Sequence, residues 1–227
     1  MLIDANGQFV TQREQSRLSL VDTTLEGESL KLAAPGLEPL ALPLRHESGA
    51  LRAVQIWLDE ALGAVHAQGS AWFSAYLGAP HQLVYMPDAH RRQVNPSRAK
   101  AGDIVAFADG YPFLVISEAS LADLNARLET PLSMQRFRPN IVIGGTQPFA
   151  EDSYAQVRIG EISFRGPKRC ERCVITTIDP ETGEQGKEPL RTLSHYRRED
   201  GKVWFGMNLI HDNLGVLRVG DRVVLTA

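Results

Sequence analysis

Short strand-like runs, broken at close intervals by turn residues, constrain this chain more than any other feature of its sequence. Asp4-Ala5-Asn6-Gly7 is a turn signal between Met1–Ile3 and Gln8–Thr11, because Asn-Gly favours tight hairpin turns. Ser19–Thr23, Ser29–Leu32 and Pro39–Leu44 are further short strands, separated by Gly27 and by Pro35-Gly36, and Val54–Trp57 is expected to end the group. Strands this short and this closely spaced predict a small sheet or half a barrel. Ser70–Leu77 then predicts a helix, capped by Ser70 and stopped by Gly78, with Pro80 just beyond. Its Trp72, Phe73, Tyr76 and Leu77 share one face, the pattern of a core-facing helix rather than a cofactor contact.

Further along, Gln82–Met86, Phe113–Ile116, Ile141–Ile143, Ala155–Ile159, Glu161–Phe164, Val174–Ile178 and Val223–Leu225 read as strands. Ser120–Leu128 reads as a helix capped by Ser120, with Asp123 close to a capping-box position, and Leu190–Tyr196 as a short helix. The polar stretch Pro87–Gly102 carries Arg91, Arg92, Arg98 and Lys100; a solvated loop is its plain reading, and an anionic ligand the alternative. Strands do not alternate with helices, so the fold class is mainly β with some helix (α+β), a mixed β-barrel rather than a βα repeat.

The chain has 227 residues, enough for one large domain or two small ones. Its 43% hydrophobic and 22% charged residues are ordinary for a globular protein. A net charge of -3 gives no electrostatic support to a nucleic-acid partner. Met1–Gly7 lacks the basic start and apolar run of a signal peptide, and no segment reaches the ~18 apolar residues of a membrane span. The expectation is a cytoplasmic protein with no membrane segment.

Both cysteines lie in one stretch, Cys170-Glu171-Arg172-Cys173-Val174-Ile175-Thr176-Thr177-Ile178-Asp179-Pro180. That rules out a disulfide-stapled scaffold and suits a reducing compartment. Closed zinc sites need four ligands, and one pair with no nearby histidine is a poor start. A dithiol-exchange motif follows a strand and opens a helix; the β-branched run after Cys173 predicts a strand instead. Two buried, inert cysteines remain the plain structural alternative. Phe137-Arg138-Pro139-Asn140 supplies a guanidinium for phosphate or carboxylate and an amide for a heterocycle edge. Pro139 fixes the backbone between them and disfavours helical geometry at Arg138. The plain alternative is a surface ion pair at Arg138. In Phe149-Ala150-Glu151-Asp152 the acidic pair either orients Arg138 or begins a turn.

Taken together, these stretches resemble the MOSC family, the molybdenum cofactor sulfurase C-terminal domain proteins. The resemblance is to the branch containing the mitochondrial amidoxime-reducing component and its bacterial relatives. It is carried by Leu114–Asn125, Arg138-Pro139-Asn140, Phe149–Asp152, Cys170–Pro180, Glu188–Leu193 and Val219-Gly220-Asp221. It implies a β-barrel MOSC domain over 68–227 and an incomplete β-rich MOSC-N domain over 1–67. It implies Cys173 as the metal ligand and catalytic centre, with the molybdenum cofactor (Mo-molybdopterin) held by Arg138 and Asn140. Asp109, Gly110 and Tyr111 would contact that cofactor from the loop before Leu114, Glu171 and Arg172 through their backbone, and Asn208 from a position where some relatives carry tyrosine. A family-level association with pyridoxal phosphate binding comes with the same resemblance.

The activity implied is reduction of small N-hydroxylated compounds: amidoximes, hydroxylamines and N-hydroxylated bases. Electrons would come from a separate iron–sulfur, flavin or haem donor protein, because no cysteine-rich iron–sulfur segment follows. A soft thiolate completing a sulfur-rich metal sphere agrees with this chemistry. Met1-Leu2-Ile3-Asp4 is similar to the middle of a longer strand in that family, whose upstream lysine-serine pair and arginine grip the cofactor phosphate. The expectation is therefore a sheet with an unpaired edge and impaired cofactor affinity. The alternatives are a non-catalytic carrier of the cofactor or of sulfur, and an inactive fragment.

Overall fold

A computed structural model describes residues 1–225 and divides the chain into two compact units. The first comprises Met1–Arg92 and Ile178–Gln185; the second comprises Gln93–Thr177 and the chain from Gly186 onward. The architecture is mixed α+β and strand-rich, as the spacing of turn residues predicts.

In the first unit, β1 (Leu2–Ile3), β2 (Phe9–Val10), β6 (Leu51–Ile56), β7 (Asp59–His66) and β8 (Gln82–Tyr85) form a sheet in the order β2-β1-β8-β7-β6. The Asp4–Gly7 turn makes the expected hairpin, with Leu2 opposite Val10. Beyond Gly7, whose φ of +82° favours glycine, a parallel bridge joins Gln8 to Gln55, and the Gln55 N–H donates to the Gly7 carbonyl at 2.9 Å. The sheet's two ends therefore meet, and the strand expected to leave an open edge, β1, is paired on both sides by β2 and β8. A second sheet, β3 (Asp22–Glu26), β4 (Ser29–Ala34) and β5 (Leu37–Pro43), is antiparallel throughout.

Helix α1 (Ala67–Leu77) buries Trp72, Phe73 and Tyr76 against Leu2, Leu32 and Leu42, as its apolar face predicts. Each such side chain contributes about 2–3 kcal/mol of burial. Gly78 ends the helix in the left-handed region, at φ 72°. Its start differs from expectation. His66 is the cap, its Nδ1 accepting from the Gly69 N–H at 3.2 Å. The Ser70 hydroxyl instead donates to the His66 carbonyl and accepts from the Leu83 N–H. Ser19–Thr23 is not one strand either: Ser16–Leu20 is a 3₁₀ turn, and β3 begins after it. Val54–Trp57 is followed by two further strands of the same sheet, so it does not end the group. The expected division between residues 67 and 68 falls at the first turn of α1.

The second unit holds β9 (Phe113–Ser117), β10 (Ile141–Ile143), β11 (Gln156–Ile159), β12 (Ile162–Glu171), β13 (Arg198–Glu199), β14 (Lys202–His211) and β15 (Val223–Leu225). They form one barrel-like sheet in the order β10-β9-β14-β12-β11-β15, with β13 on β14. β9 and β10 are parallel and are joined through α2 (Glu118–Asn125); the other pairs are antiparallel. One core gathers Val115, Val157, Phe164, Met207 and Leu209; a second gathers Ile116, Leu124, Phe137, Leu193 and Phe205. α3 (Leu190–Tyr196) contributes Leu193 to the latter. Ser117, not Ser120, caps α2, accepting from the Ser120 N–H at 3.0 Å.

Candidate functional site

The two cysteines straddle the end of β12 in the second unit. Cys170 lies in the strand, and Cys173 lies just beyond it; both are half-buried and neither is in a disulfide. The strand expected at Val174–Ile178 is absent: Val174–Thr177 is a 3₁₀ turn, and Ile178 makes only an isolated bridge. The cause is local. The Thr176 hydroxyl donates to the Cys173 carbonyl at 3.0 Å, and the Thr177 hydroxyl to the Val174 carbonyl at 2.7 Å. Threonine can satisfy a carbonyl three residues back, and here that option outweighs its β preference.

The Arg-Pro-Asn stretch follows another 3₁₀ turn, Met134–Phe137. Arg138 closes it in the left-handed region, at φ 53° and ψ 46°, consistent with the bar that Pro139 sets against right-handed helix. Its side chain is exposed, and its guanidinium has no hydrogen bond or ion pair with any described residue. Asn140 is tied into the sheet. Its N–H donates to the Leu114 carbonyl, and its Oδ1 accepts from the Leu114 N–H, both at 2.9 Å.

Arg172 brings the two stretches together. Its Nη2 donates to the Phe137 carbonyl at 2.7 Å and its Nη1 to Cys170 Sγ at 3.1 Å. Its guanidinium also lies 5.6 Å from the centre of the Phe137 ring. Its own N–H donates to the Val203 carbonyl, which holds the chain beside β14 between the two cysteines. Glu171 points its carboxylate to Lys202 at 3.0 Å, so it is a surface ion pair as well as a backbone element.

The remaining predicted residues fall nearby along the same sheet. Asn208 stands opposite Leu114 on one side and Lys168 on the other, so Asn140, Leu114, Asn208 and Lys168 form a row across the strands. The Asn208 amide nitrogen donates to the Lys168 and Arg169 carbonyls at 3.2 and 3.4 Å, where β12 is bulged. Its amide thus ties β14 to β12. Asp109 and Gly110 lie in the loop leading to β9. Tyr111 packs against the Val94, Val105 and Ile210 cluster, where burial raises its phenol above the ordinary value.

The acidic pair does not orient Arg138. Glu151 is wholly buried, and its Oε1 accepts from the Ser117 N–H at 3.0 Å and the Ser120 hydroxyl at 2.7 Å. Asp152 pairs with Arg197, and lies 3.9 Å from Arg169, the residue before Cys170. Sequence reasoning missed both roles, and also the side chain of Arg172. The signal available for Glu151 was a carboxylate in a stretch that already carried the family resemblance.

A half-buried thiol, and a guanidinium and an amide NH2 with no partner among the described residues, suit a ligand carrying a soft metal and a phosphate. Mo-molybdopterin is such a ligand, and these residues fit it.

Comparison with known proteins places the chain by family. The MOSC domain matches residues 102–224, and the MOSC N-terminal beta barrel domain matches residues 1–80. The chain is 37% identical to mitochondrial amidoxime-reducing component 1 of Homo sapiens over 241 residues, 99% of this chain and 71% of that protein. It is 38% identical to mitochondrial amidoxime reducing component 2 of Rattus norvegicus, over 98% of this chain and 71% of that protein. Component 1 of Danio rerio is 37% identical, over 98% and 72%.

Proposed function

We propose, from the fact that this chain belongs to the MOSC domain family, that it binds the molybdenum cofactor and reduces N-hydroxylated compounds. Two of its relatives carry amidoxime reduction in their names, and they align along almost the whole of this chain. The substrates we assign are amidoximes, hydroxylamines and N-hydroxylated bases, with electrons delivered by a separate iron–sulfur, flavin or haem protein.

The observation that carries this reading is the bridge made by Arg172. One guanidinium ties Cys170, three residues before Cys173, to the Phe137 carbonyl beside Arg138, so the cysteine pair and a cation with no partner among the described residues belong to one local structure. Cys173 would hold the metal as a thiolate, and Arg138 the cofactor's phosphate, in a charge-assisted pair. Asn140, anchored through Leu114, keeps Arg138 beside β9. Bound there, the cofactor would supply two-electron oxygen-atom chemistry, and the protein ligation and orientation.

The test uses the whole chain, purified from a host that makes the cofactor. Molybdenum by elemental analysis and benzamidoxime reduction with a chemically reduced donor are measured together. Wild type is expected to carry molybdenum and turn over; Cys173→Ala is expected to lose both. Wild-type protein free of molybdenum, or a Cys173→Ala variant that keeps its metal, overturns the reading.

A further inference from the structure

We infer that the Arg172 side chain is a positioning residue for Arg138, acting through the peptide between Phe137 and Arg138. The inference deepens the proposed function, since it rests on Arg138 as the phosphate clamp.

Arg138 is held where an L-residue is strained. A left-handed conformation at a non-glycine residue costs about 1–2 kcal/mol, and it persists only where the surroundings over-determine it. The surroundings here are specific. The Arg138 N–H donates to the Gln135 carbonyl at 3.1 Å. The other polar end of the same peptide, the Phe137 carbonyl, receives Arg172 Nη2 at 2.7 Å. Both ends of that peptide plane are thus fixed, one of them by a charge-assisted bond. The Phe137 ring, 1% exposed, lies 4.5 Å from the Phe205 ring and anchors the same residue in the core.

No carboxylate pairs with Arg172 among the described residues. Its side chain meets the Phe137 carbonyl, the Phe137 ring and Cys170 Sγ, and its Nε is buried without a partner. A guanidinium used this way is a brace. It fixes the backbone from which Arg138 projects, and it fixes that backbone relative to the cysteine strand. Arg138 then meets a phosphate already oriented, without first losing the freedom of an unbraced loop.

The experiment is a double-mutant cycle on the full-length chain without cofactor, with pyrophosphate as the probe and calorimetry as the readout. Arg172→Ala is expected to weaken pyrophosphate binding by about 10-fold, the lower end of what lost orienting partners cost. Arg138→Ala is expected to weaken it at least as much. In the Arg138→Ala background, Arg172→Ala is expected to change affinity no further, because the brace has nothing left to position. Arg172→Lys, which keeps one cationic donor, is expected to recover part of the loss; it also serves if the alanine variant does not fold. Melting temperature is read in parallel, because a purely structural role lowers it equally in both backgrounds. Wild-type affinity in folded Arg172→Ala, or a full further loss added to Arg138→Ala, overturns the inference. Wild type that fails to bind pyrophosphate overturns it too. Wild type free of molybdenum with the cycle intact sinks only the proposed function.

Discussion

Glu151 shows how much one residue can carry. It is 0% exposed, and one of its oxygens satisfies two donors, the Ser117 N–H and the Ser120 hydroxyl, at the start of α2. A carboxylate there is favoured by the positive end of the helix. Glu151→Ala strands the Ser117 N–H in the interior, at about 1–3 kcal/mol, while the Ser120 hydroxyl can turn to the Ser117 Oγ 2.7 Å away, so unfolding free energy should fall by about 2 kcal/mol in urea titration. At this scale the sequence was half legible. Cys173, Arg138 and Asn140 are legible through the family resemblance; taken alone, Arg138 reads equally as a surface ion pair. The side chain of Arg172 is not legible, because its role depends on a carbonyl 35 positions away, and no local pattern announces such a contact. Asn208 has the chemistry of a ligand donor, and its amide also reaches two carbonyls of the bulged β12, a contact no local pattern announces.

At the scale of elements, hydrophobic runs and turn residues located most strands, and hydroxyl residues near helix starts misled. Ser70 and Ser120 both sit where a cap is plausible, and both lose the position to a residue upstream that the sheet delivers first, His66 from β7 and Ser117 from β9. The threonines after Cys173 are the opposite case, β-formers turned helical by their own hydroxyls. The His66 cap has a measurable consequence. Its Nδ1 must be unprotonated to accept from Gly69, and burial, followed by the His46 ring 4.2 Å away, lowers its pKa from 6.5. A folded-state pKa below the unfolded one means the unfolded chain binds the proton more readily. Stability from this group is therefore complete above pH 6.5 and is lost as pH falls below it. Melting curves should show that decline as pH falls below about 6.5. His66→Asn, a capping residue that does not titrate, should flatten it. An unchanged slope would remove His66 from the account.

Across the whole molecule, the strand-rich class was readable and the grouping was not. The first unit recruits Ile178–Gln185, with the Ser19 hydroxyl donating to the Asp179 carbonyl at 3.4 Å. A reading that moves along the chain has no means of returning a late segment to an early unit. Charge distribution was also legible only in sum. The net charge of -3 conceals that many arginines are spoken for: Arg92 by Asp59, Arg165 by Asp103 and Asp212, Arg197 by Asp152. Arg138, exposed and without a partner among the described residues, keeps the reactivity of an uncommitted guanidinium. An arginine-selective dicarbonyl reagent should label it readily in the empty protein and slowly once an anion sits on it. Exposed Arg218 serves as an internal reference within the same sample. Peptide mass spectrometry of the two adducts would then report, molecule by molecule, how much of a preparation is loaded.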